Sequence, residues 1–186
     1  GFSSFFIGQS FRFSKDNDFG TDTGLDDHFS DIVGRVKVSP TRFVNALYRF
    51  RLDKDDLAPR RNELEATLGV PKFRLNINYL SIDQQNSNDL LDPEDEFRDR
   101  EEVTVGFSSQ ATKRWRFGAN TRNDLTDGGG SLRHVAFLNY EDECFYFQVD
   151  YSRTFTRDRD VKPSDSLLFR VVFKTLGEVG TSTGIN

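Results

Sequence analysis

The stretch Phe43–Leu52 reads FVNALYRFRL, and an apolar or aromatic side chain occupies every even position in it. Tyr48 and Phe50 would therefore lie on one face of an extended chain, whereas Arg49 and Arg51 would lie on the other. Strict alternation of this kind predicts a β-strand that has an apolar environment on one side and a polar environment on the other.

The same alternation continues outward in both directions and predicts ten strands, with no helix of useful length. The predicted strands are Phe5–Phe13, Ile32–Val38, Phe43–Leu52, Glu63–Val70, Phe73–Tyr79, Glu102–Ser108, Arg114–Asn120, Leu132–Tyr140, Phe145–Ser152 and Ser166–Leu176. We expect residues 1–176 to form these strands and residues 177–186 to form a C-terminal tail.

The segments between the predicted strands alternate between long and short. Short segments are expected at 39–42, 69–72, 110–114 and 141–144, and long ones at 14–31, 53–62, 82–100, 123–131 and 157–165. Membrane barrels have this rhythm because their short turns face the periplasm and their long loops face outside. The sequence therefore predicts an all-β fold, an antiparallel transmembrane β-barrel segment of about ten up-and-down strands. A soluble β-rich binding module, with its charged face in water, is the alternative.

The composition narrows the class of protein. The 186 residues are 35% hydrophobic and 30% charged, with a net charge of −5, and they include 19 Phe, 5 Tyr and one Trp. Disordered chains are poor in aromatic residues, and no stretch approaches the ~18 apolar residues of a membrane-spanning helix. The chain has no Met and no signal-peptide pattern at Gly1–Phe13, which indicates a processed chain or an excised piece.

Three strings in the sequence resemble one known family. They are YRFRLDKDDLAPRRNE at Tyr48–Glu63, YEDECF at Tyr140–Phe145, and SRTFTRDRDVKPSDSLLFRVVFKTLGEV at Ser152–Val179, which carries the resemblance most strongly. Each is similar to a stretch of the LPS-assembly outer-membrane barrel proteins, the LptD or organic-solvent-tolerance family.

This resemblance implies a location in the outer membrane of a Gram-negative bacterium, as part of a translocon that assembles lipopolysaccharide into the outer leaflet. The implied partners are lipopolysaccharide, a plug lipoprotein, periplasmic LPS-bridge proteins and outer-membrane lipid, with no nucleic acid and no cofactor. Members of the family have a barrel of about 26 strands and a periplasmic jelly-roll domain. The chain is therefore similar to the C-terminal portion of such a barrel.

The single cysteine, Cys144, lies in a predicted short turn and hence on the periplasmic side. The resembled family joins a cysteine at this motif to its periplasmic domain, so the resemblance implies an inter-domain disulfide in an oxidising compartment. Family members carry two adjacent cysteines there, whereas Phe145 follows here, which leaves room for one bridge. The alternative role of a lone cysteine is that of a small buried hydrophobe.

The polar faces of the strands carry basic residues that we expect to face the lumen. They are Arg35, Lys37, Arg49, Arg51, Arg74, Arg116, Arg122, Arg170 and Lys174. A basic lumen would attract a phosphorylated saccharide; a lumen solvated by mixed charge is the alternative. The two most acidic loops, 14–31 and 82–100, each have a net charge of −5. These loops either bind divalent cations shared with lipopolysaccharide phosphates or are simply solvated.

In the resembled family, the first and last strands meet at a seam that opens sideways to release lipid. The resemblance therefore implies a lateral-gate strand with the residues Leu167, Phe169, Val171 and Phe173. Because Pro163 cannot donate a ladder hydrogen bond, pairing would fade at the outer end of this strand, unless Pro163 only shapes the loop. We expect Phe5–Phe13 and Leu167–Phe173 to be unpaired edges in this chain, unless the ten strands close on themselves.

No catalytic or metal-binding motif stands out in the sequence. His28 and His134 are expected to be surface imidazoles, and neither Asp150 nor Ser152 is paired with a base at a recognisable spacing. The sequence DGGG at Asp127–Gly130 lacks the Lys-Ser/Thr ending of a phosphate-binding loop and is explained by turn chemistry. A complete ten-stranded outer-membrane enzyme, a protease or lipase, is the alternative function.

Overall fold

The predicted alternation corresponds to a series of β-strands in a computed structural model of the chain. The structure describes residues 1–13, 28–83, 99–155 and 162–174, together with the backbone of 177–185. The strands are β1 (Phe2–Gly8), β2 (Ile32–Thr41), β3 (Val44–Leu52), β4 (Pro59–Val70), β5 (Phe73–Ile82), β6 (Arg100–Gln110), β7 (Trp115–Asp124), β8 (Ser131–Glu141), β9 (Phe145–Thr154), β10 (Ser164–Phe173) and β11 (Gly177–Ile185).

The strands follow one another in the order β1 to β11 within one sheet, and the pairs from β1 to β3 and from β7 to β11 are antiparallel. The prediction of an all-β antiparallel fold is therefore confirmed. Over these described ranges no helix is long and apolar enough to cross a membrane. β1 and β11 are the two ends of the strand order, so the transmembrane barrel stays a prediction.

Contacts divide the chain into two compact units. Unit 1 comprises Gly1–Ala66 and Asn78–Glu102, and it contains all of β1, β2 and β3. Unit 2 comprises Thr67–Ile77 and Val103–Asn186, and it contains all of β7 to β11. The strands β4, β5 and β6 each contribute residues to both units.

The connections confirm the predicted alternation of lengths. Those that follow even-numbered strands are short, at 42–43, 71–72, 111–114, 142–144 and 174–176. Those that follow odd-numbered strands are longer, at 9–31, 53–58, 83–99, 125–130 and 155–163. Each strand therefore has a short-turn end and a long-loop end, because successive antiparallel strands reverse direction.

Strand pairing keeps apolar and polar side chains on opposite faces. In unit 1, Val36 opposes Tyr48 on one face, which we call the apolar face, and Arg35 opposes Arg49 on the other, the polar face. Side chains directly opposite each other in an antiparallel pair lie on the same side of the sheet. The faces predicted from the alternation in Phe43–Leu52 are thus confirmed.

Unit 2 has the same division of faces. Leu138 opposes Phe117 of β7 and Val149 of β9 on its apolar face. Asn139 opposes Gln148 on its polar face. One face of β7–β9 is therefore apolar and the other polar, as period-two alternation requires.

The described part of the chain has no buried hydrophobic residue. Large apolar side chains are exposed instead: the exposed fraction is 65% for Phe5, 39% for Phe117 and 37% for Phe169. A sheet in a water-soluble domain covers its apolar face with a second layer of structure. The described residues provide no such layer.

Several strand boundaries differ from those expected, and the boundaries of β1 and β4 have a visible physical reason. β1 ends at Gly8 rather than at Phe13, because the Gln9 side chain and the Ser10 N–H donate to Ser30, at 2.9 and 2.8 Å, and interrupt the ladder. Pairing resumes only as an isolated bridge between Phe11 and Phe29. β4 begins at Pro59 rather than at Glu63. The carbonyl of Arg60 accepts a hydrogen bond from the Asp83 N–H at 3.0 Å, which holds the backbone in place beyond the alternating segment.

The eleventh strand, β11, corrects the expectation of ten strands and lies in the segment assigned to a tail. It pairs with β10 from Asp165↔Ile185 to Phe173↔Gly177. Its sequence, GEVGTSTGI, is mostly Gly, Ser and Thr and has no period-two apolar pattern, so only backbone pairing reveals the strand.

Of the two edge strands that were expected, the first is confirmed and the second is wrong. β1 is at one end of the sheet, but β10 is not an edge, because β9 pairs with it on one side and β11 on the other. Pairing with β9 continues to Ser164↔Thr154, and Pro163 lies just outside the strand. The effect of Pro163 on a seam with another strand stays a prediction.

The acidic loops predicted at 14–31 and 82–100 lie mostly outside the described residues. The divalent-cation sites suggested for them also lie outside the described residues, which include only Asp31, Asp83, Asp99 and Arg100 among the charged residues at the loop ends.

Candidate functional site

The polar face of unit 1 brings together four of the predicted lumen-facing basic residues. Arg35 of β2 is directly opposite Arg49 of β3, and Arg51 and Lys37 occupy the neighbouring positions of that face, opposite Val33 and Leu47. Like charges directly opposite each other in an antiparallel pair destabilise a sheet. Nearby acids must therefore offset this cluster.

Acidic residues neutralise two members of the cluster. Arg49 Nη1 lies 3.0 Å from Glu63 Oε2 and 2.5 Å from Glu65 Oε1, both on β4. Arg51 Nε lies 3.3 Å from Asp31 Oδ2, just before β2. This polar face therefore carries mixed charge, which agrees with the alternative stated for the lumen.

Asp31 is one of the few buried polar residues of the described chain, with 6% of its surface exposed. Burial raises the pKa of its carboxyl group, because removal of water disfavours the charged form, and Arg51 opposes that rise. Its ion pair with Arg51 lies at the long-loop end of β2 and β3.

A clasp built from Asp53 and Arg60 closes the connection between β3 and β4. Arg60 donates to Asp53 Oδ2 through Nη2 at 2.8 Å and through Nε at 3.2 Å. Asp53 Oδ1 accepts the backbone N–H groups of Asp55 and Asp56. The Arg60 guanidinium, followed by these N–H groups, lowers the pKa of Asp53 to about 2. This clasp was not predicted, because the spacing Asp-x6-Arg within YRFRLDKDDLAPRRNE is not a recognisable motif by itself.

In unit 2, two further predicted basic residues line a cleft at the short-turn end. Arg74 of β5 and Arg116 of β7 line it together with Lys72, which follows β4, and Ser108 and Gln110 of β6. The cleft has a volume of about 280 Å³. Arg74 and Arg116 were both predicted to face the lumen, but their proximity was not, because it depends on strand order rather than on sequence spacing.

The remaining predicted basic residues lie apart from this cleft. Arg122 opposes Arg133 across β7 and β8. Arg170 of β10 opposes Gln148 of β9. Lys174, after the end of β10, donates to Glu141 Oε1 at 3.0 Å and to the carbonyl of Asp142 at 2.6 Å.

Cys144 is an exposed free thiol in the turn between β8 and β9. Its backbone N–H donates to Asp142 Oδ1 at 3.0 Å, and its carbonyl accepts the Lys174 N–H at 3.0 Å. The hydrogen bond from the Cys144 N–H and that from the Tyr140 hydroxyl lower the pKa of Asp142. These hydrogen bonds hold the turn in one conformation, in which the Cys144 thiol is exposed to solvent. The alternative that Cys144 is a small buried hydrophobe is therefore wrong.

The apolar face of unit 2 has a band of aromatic rings toward the short-turn end. Ring centroids are 4.9 Å apart for Trp115 and Tyr140, 6.0 Å for Tyr140 and Phe145, and 5.7 Å for Phe145 and Phe173. The Tyr140 hydroxyl donates to Asp142 Oδ2 in the adjacent turn at 3.0 Å. Aromatic rings with one polar tip are typical of the boundary between hydrocarbon and water.

The predicted lateral-gate residues share this apolar face. Their partners on β9 continue it, with the pairs Leu167↔Tyr151, Phe169↔Val149, Val171↔Phe147 and Phe173↔Phe145. At the long-loop end, the Tyr151 hydroxyl lies 3.2 Å from Asp165 Oδ1. The apolar stretch of β9 and β10 therefore has a tyrosine or phenylalanine at each end.

No group of three or more His, Cys, Asp or Glu residues within the described ranges could hold a metal ion. His28 is half-buried rather than on the surface, with Nδ1 3.0 Å from the Arg12 carbonyl. The ring of His134 lies edge-on against Phe155, with centroids 4.9 Å apart. Each imidazole thus has a local structural contact.

Comparison with known protein families gives a match over the first part of the chain. The family model LptD, described as LPS transport system D, matches residues 3–115. That range contains the string at Tyr48–Glu63 and the Arg74 side of the cleft, whereas the strings at Tyr140–Phe145 and Ser152–Val179 lie beyond it. No curated protein and no solved structure matches the chain. Because the matched range covers well over half of the 186 residues, the chain belongs to the LptD family.

Proposed function

We propose that the chain forms part of the wall of an outer-membrane translocon that assembles lipopolysaccharide into the outer leaflet of a Gram-negative bacterium. Membership of the LptD family supports a function in lipopolysaccharide transport. The observation that carries the structural part of the proposal is an apolar face with no protein cover, in a described chain without any buried hydrophobic residue.

Lipid is the cover that suits this face. Exposed apolar area of this extent is destabilising in water, at roughly 25 cal/mol per Å², whereas hydrocarbon removes that cost. Trp115, Tyr140, Phe145 and Phe173 lie where an interfacial girdle would lie, next to the short turns. In this proposal the sheet β1 to β11 continues into a larger antiparallel barrel as its C-terminal portion, since an open sheet edge cannot face lipid.

The polar face would then line the lumen along which the saccharide part of the lipid moves. Arg35 and Lys37 form no ion pair with any described residue, so they are available to anionic groups. The acids Glu63 and Glu65 limit the net charge of this face, so that binding stays weak enough for release. A plug lipoprotein inside the barrel and a periplasmic bridge are the protein partners that the family implies.

We further propose that Cys144 forms a disulfide with a periplasmic domain. The exposed thiol and its position in a short turn support this role. Non-reducing and reducing gels of the full-length protein would reveal the bridge as a difference in mobility. Identical mobility, with Cys144 labelled by a maleimide, would contradict it.

The lateral gate remains a proposal for β10. Each side of a strand can pair with one neighbour only, and β11 occupies the side of β10 that is not paired with β9. A seam formed by β10 with the first strand of a barrel therefore requires β11 to leave. A cysteine at Phe169 crosslinked to that first strand should block lipopolysaccharide delivery. Normal delivery with the crosslink in place would contradict the gate.

Two substitutions in β8 test the membrane interpretation against a soluble fold. Leu138 lies on the apolar face and is 38% exposed, whereas Val135 is half-buried on the polar face, opposite Asn120 and Ser152. In a soluble domain, a lysine would be tolerated better at the more exposed Leu138. In a bilayer, a lysine on the lipid face costs about 2–4 kcal/mol near the midplane.

The expected result is that Leu138→Lys abolishes membrane assembly of the full-length protein and Val135→Lys does not. Heat-modifiable gel mobility measures assembly, and lipopolysaccharide exposed at the cell surface measures function. The opposite order of the two variants, or detergent-free solubility of the wild-type protein, would contradict the proposal.

A further inference from the structure

We propose that Lys72, Arg74 and Arg116 form a phosphate-binding cleft at the short-turn end of the polar face, which would hold a phosphate group of the lipid-linked saccharide as it enters. This inference rests on the proposed function for the identity of its ligand. The geometry of the cleft and its charge are independent of that function.

The cleft combines three cations with neutral hydrogen-bonding groups. Its polar lining residues are Lys72, Arg74, Ser108, Ser109, Gln110 and Arg116, and no Asp or Glu lines it. Its volume of about 280 Å³ is close to the ~300 Å³ at which small-molecule sites begin.

The surrounding sequence also lacks acids. The segments 67–77 and 103–123 contain no Asp or Glu, although the whole chain contains 30 such residues among 186. Lys72, Arg74 and Arg116 form no ion pair with any residue that the structure describes. Across the adjacent ladder, Arg116 faces the neutral Asn139. The positive charge of the cleft is therefore not offset by neighbouring acids.

Hydrogen bonds hold the cleft wall in place before any ligand binds. The carbonyl oxygen of Lys72 accepts the Gln110 N–H at 2.8 Å and the Ser109 hydroxyl at 3.0 Å. These two bonds tie the turn after β4 to the end of β6. A wall that is already ordered reduces the entropy lost on binding.

A phosphate group suits this arrangement better than a carboxylate. A phosphate monoester carries a charge of about −1.5 to −2 at neutral pH and has three strong acceptor oxygens. An arginine guanidinium can bind such a group through two parallel hydrogen bonds, and a lysine adds a point charge. Three cations without an acid match this charge, whereas a divalent cation would need carboxylate ligands that the cleft lacks.

The test is a titration of the full-length protein in detergent micelles by isothermal titration calorimetry. The ligands are purified lipopolysaccharide, the same lipopolysaccharide after phosphatase treatment, and inorganic pyrophosphate. The double variant Arg74→Ala/Arg116→Ala removes the two guanidinium groups. Lys113→Ala is the matched control, because Lys113 is an exposed cation in the turn before β7 that does not line the cleft.

We expect the double variant to bind lipopolysaccharide at least about tenfold more weakly than the wild-type protein. Lys113→Ala should bind it equally well, and phosphatase treatment should abolish the difference between wild type and double variant. Arg74→Lys/Arg116→Lys, which keeps the charge but loses the paired hydrogen bonds, should fall between them. Heat-modifiable mobility of each variant confirms that it has folded.

Equal affinity of wild type and double variant for lipopolysaccharide would overturn the proposal. Binding of pyrophosphate that lipopolysaccharide cannot displace would also overturn it. In the first case an acidic segment of a partner protein becomes the alternative occupant. If neither protein binds lipopolysaccharide, the proposed function fails. The pyrophosphate titration then still tests the cleft, which is overturned if the double variant binds pyrophosphate as tightly as the wild type.

Discussion

The two clusters of basic residues on the polar faces differ in whether nearby acidic residues offset their charge. In unit 1, Glu63, Glu65 and Asp31 lie within ion-pair distance of Arg49 and Arg51. In unit 2, the cations of the cleft have no described acid beside them. A paired arginine stabilises the local structure, whereas an unpaired arginine is available to a ligand. We therefore expect arginines on the two polar faces to have different roles, structural in unit 1 and ligand-binding in unit 2.

The largest effect is expected from the clasp formed by Asp53 and Arg60 in the connection between β3 and β4 of unit 1. Asp53→Ala would leave Arg60, whose side chain is only 11% exposed, without its carboxylate and would remove two loop hydrogen bonds. Loss of one partner of a largely buried pair is strongly destabilising, and we expect a cost of about 2–3 kcal/mol in the free energy of unfolding. Urea unfolding of the detergent-solubilised protein measures it.

Asp55→Ala is the control for that variant. The Asp55 side chain is 78% exposed and pairs with its neighbour Lys54, so its removal should change the free energy by less than about 0.5 kcal/mol. Equal effects of the two substitutions would show that the clasp does not stabilise the connection.

The next prediction compares the two clusters directly, with the same substitution in each. Arg49→Ala should destabilise the protein by about 1 kcal/mol, because Glu65 then loses its cation and Glu63 keeps only Arg61. Arg74→Ala should leave the free energy of unfolding nearly unchanged, since no described acid depends on it. The urea midpoints of the two variants give the answer, and a larger loss for Arg74→Ala would contradict the distinction between paired and unpaired clusters.

The difference between the clusters could be predicted from the sequence only in part. Alternation in stretches such as Phe43–Leu52 correctly indicated which side chains share a face, because the side-chain period of a strand is fixed at two. Whether Arg49 is paired and Arg74 is not depends on which strands are neighbours and in what register. The absence of acids from 67–77 and 103–123 was visible in the sequence, but no local pattern indicated that the two segments line one cleft.

β11 illustrates the other limit of the sequence analysis. Apolar periodicity detects a strand only when its side chains differ between the two faces, and GEVGTSTGI offers no such difference. The backbone of β10 nonetheless provides a full row of donors and acceptors, which Gly177–Ile185 pairs. A segment without side-chain pattern can thus become a strand because of its neighbour.

Acidification tests whether the ionised Asp53 carboxylate of the clasp stabilises the fold. The pKa of Asp53 is about 2 in the folded protein, below its ordinary value of 3.8, so its ionised form stabilises the fold. That stabilisation is complete only above about pH 5, and it is lost as the pH falls through 3.8 toward 2. After allowance for screening by solvent, we expect a loss of roughly 1 kcal/mol over this window. Asp31 has the opposite sign, because burial raises its pKa and protonation then favours the folded state.

Unfolding midpoints between pH 5 and pH 2 measure this dependence. Asp53→Asn should have a flatter profile than the wild type over the window from pH 4 to pH 2, whereas Asp55→Asn should follow the wild type. Parallel profiles for all three proteins would mean that the Asp53–Arg60 pair does not hold the pKa of Asp53 down.

The smallest expected effect concerns Arg35, which forms no ion pair with a described residue although it belongs to the basic cluster of unit 1. It is exposed, it is directly opposite Arg49, and the two acids nearest Arg49 lie on β4 rather than beside Arg35. Like charges in that position repel each other. Arg35→Gln should therefore stabilise the protein, by about 0.3 kcal/mol at low salt, and the gain should disappear at 1 M salt, where the Debye length is only about 3 Å. Urea midpoints at the two salt concentrations detect the change. Destabilisation by Arg35→Gln at low salt would instead mean that Arg35 shares the acids of Arg49, and the paired cluster would then extend to β2.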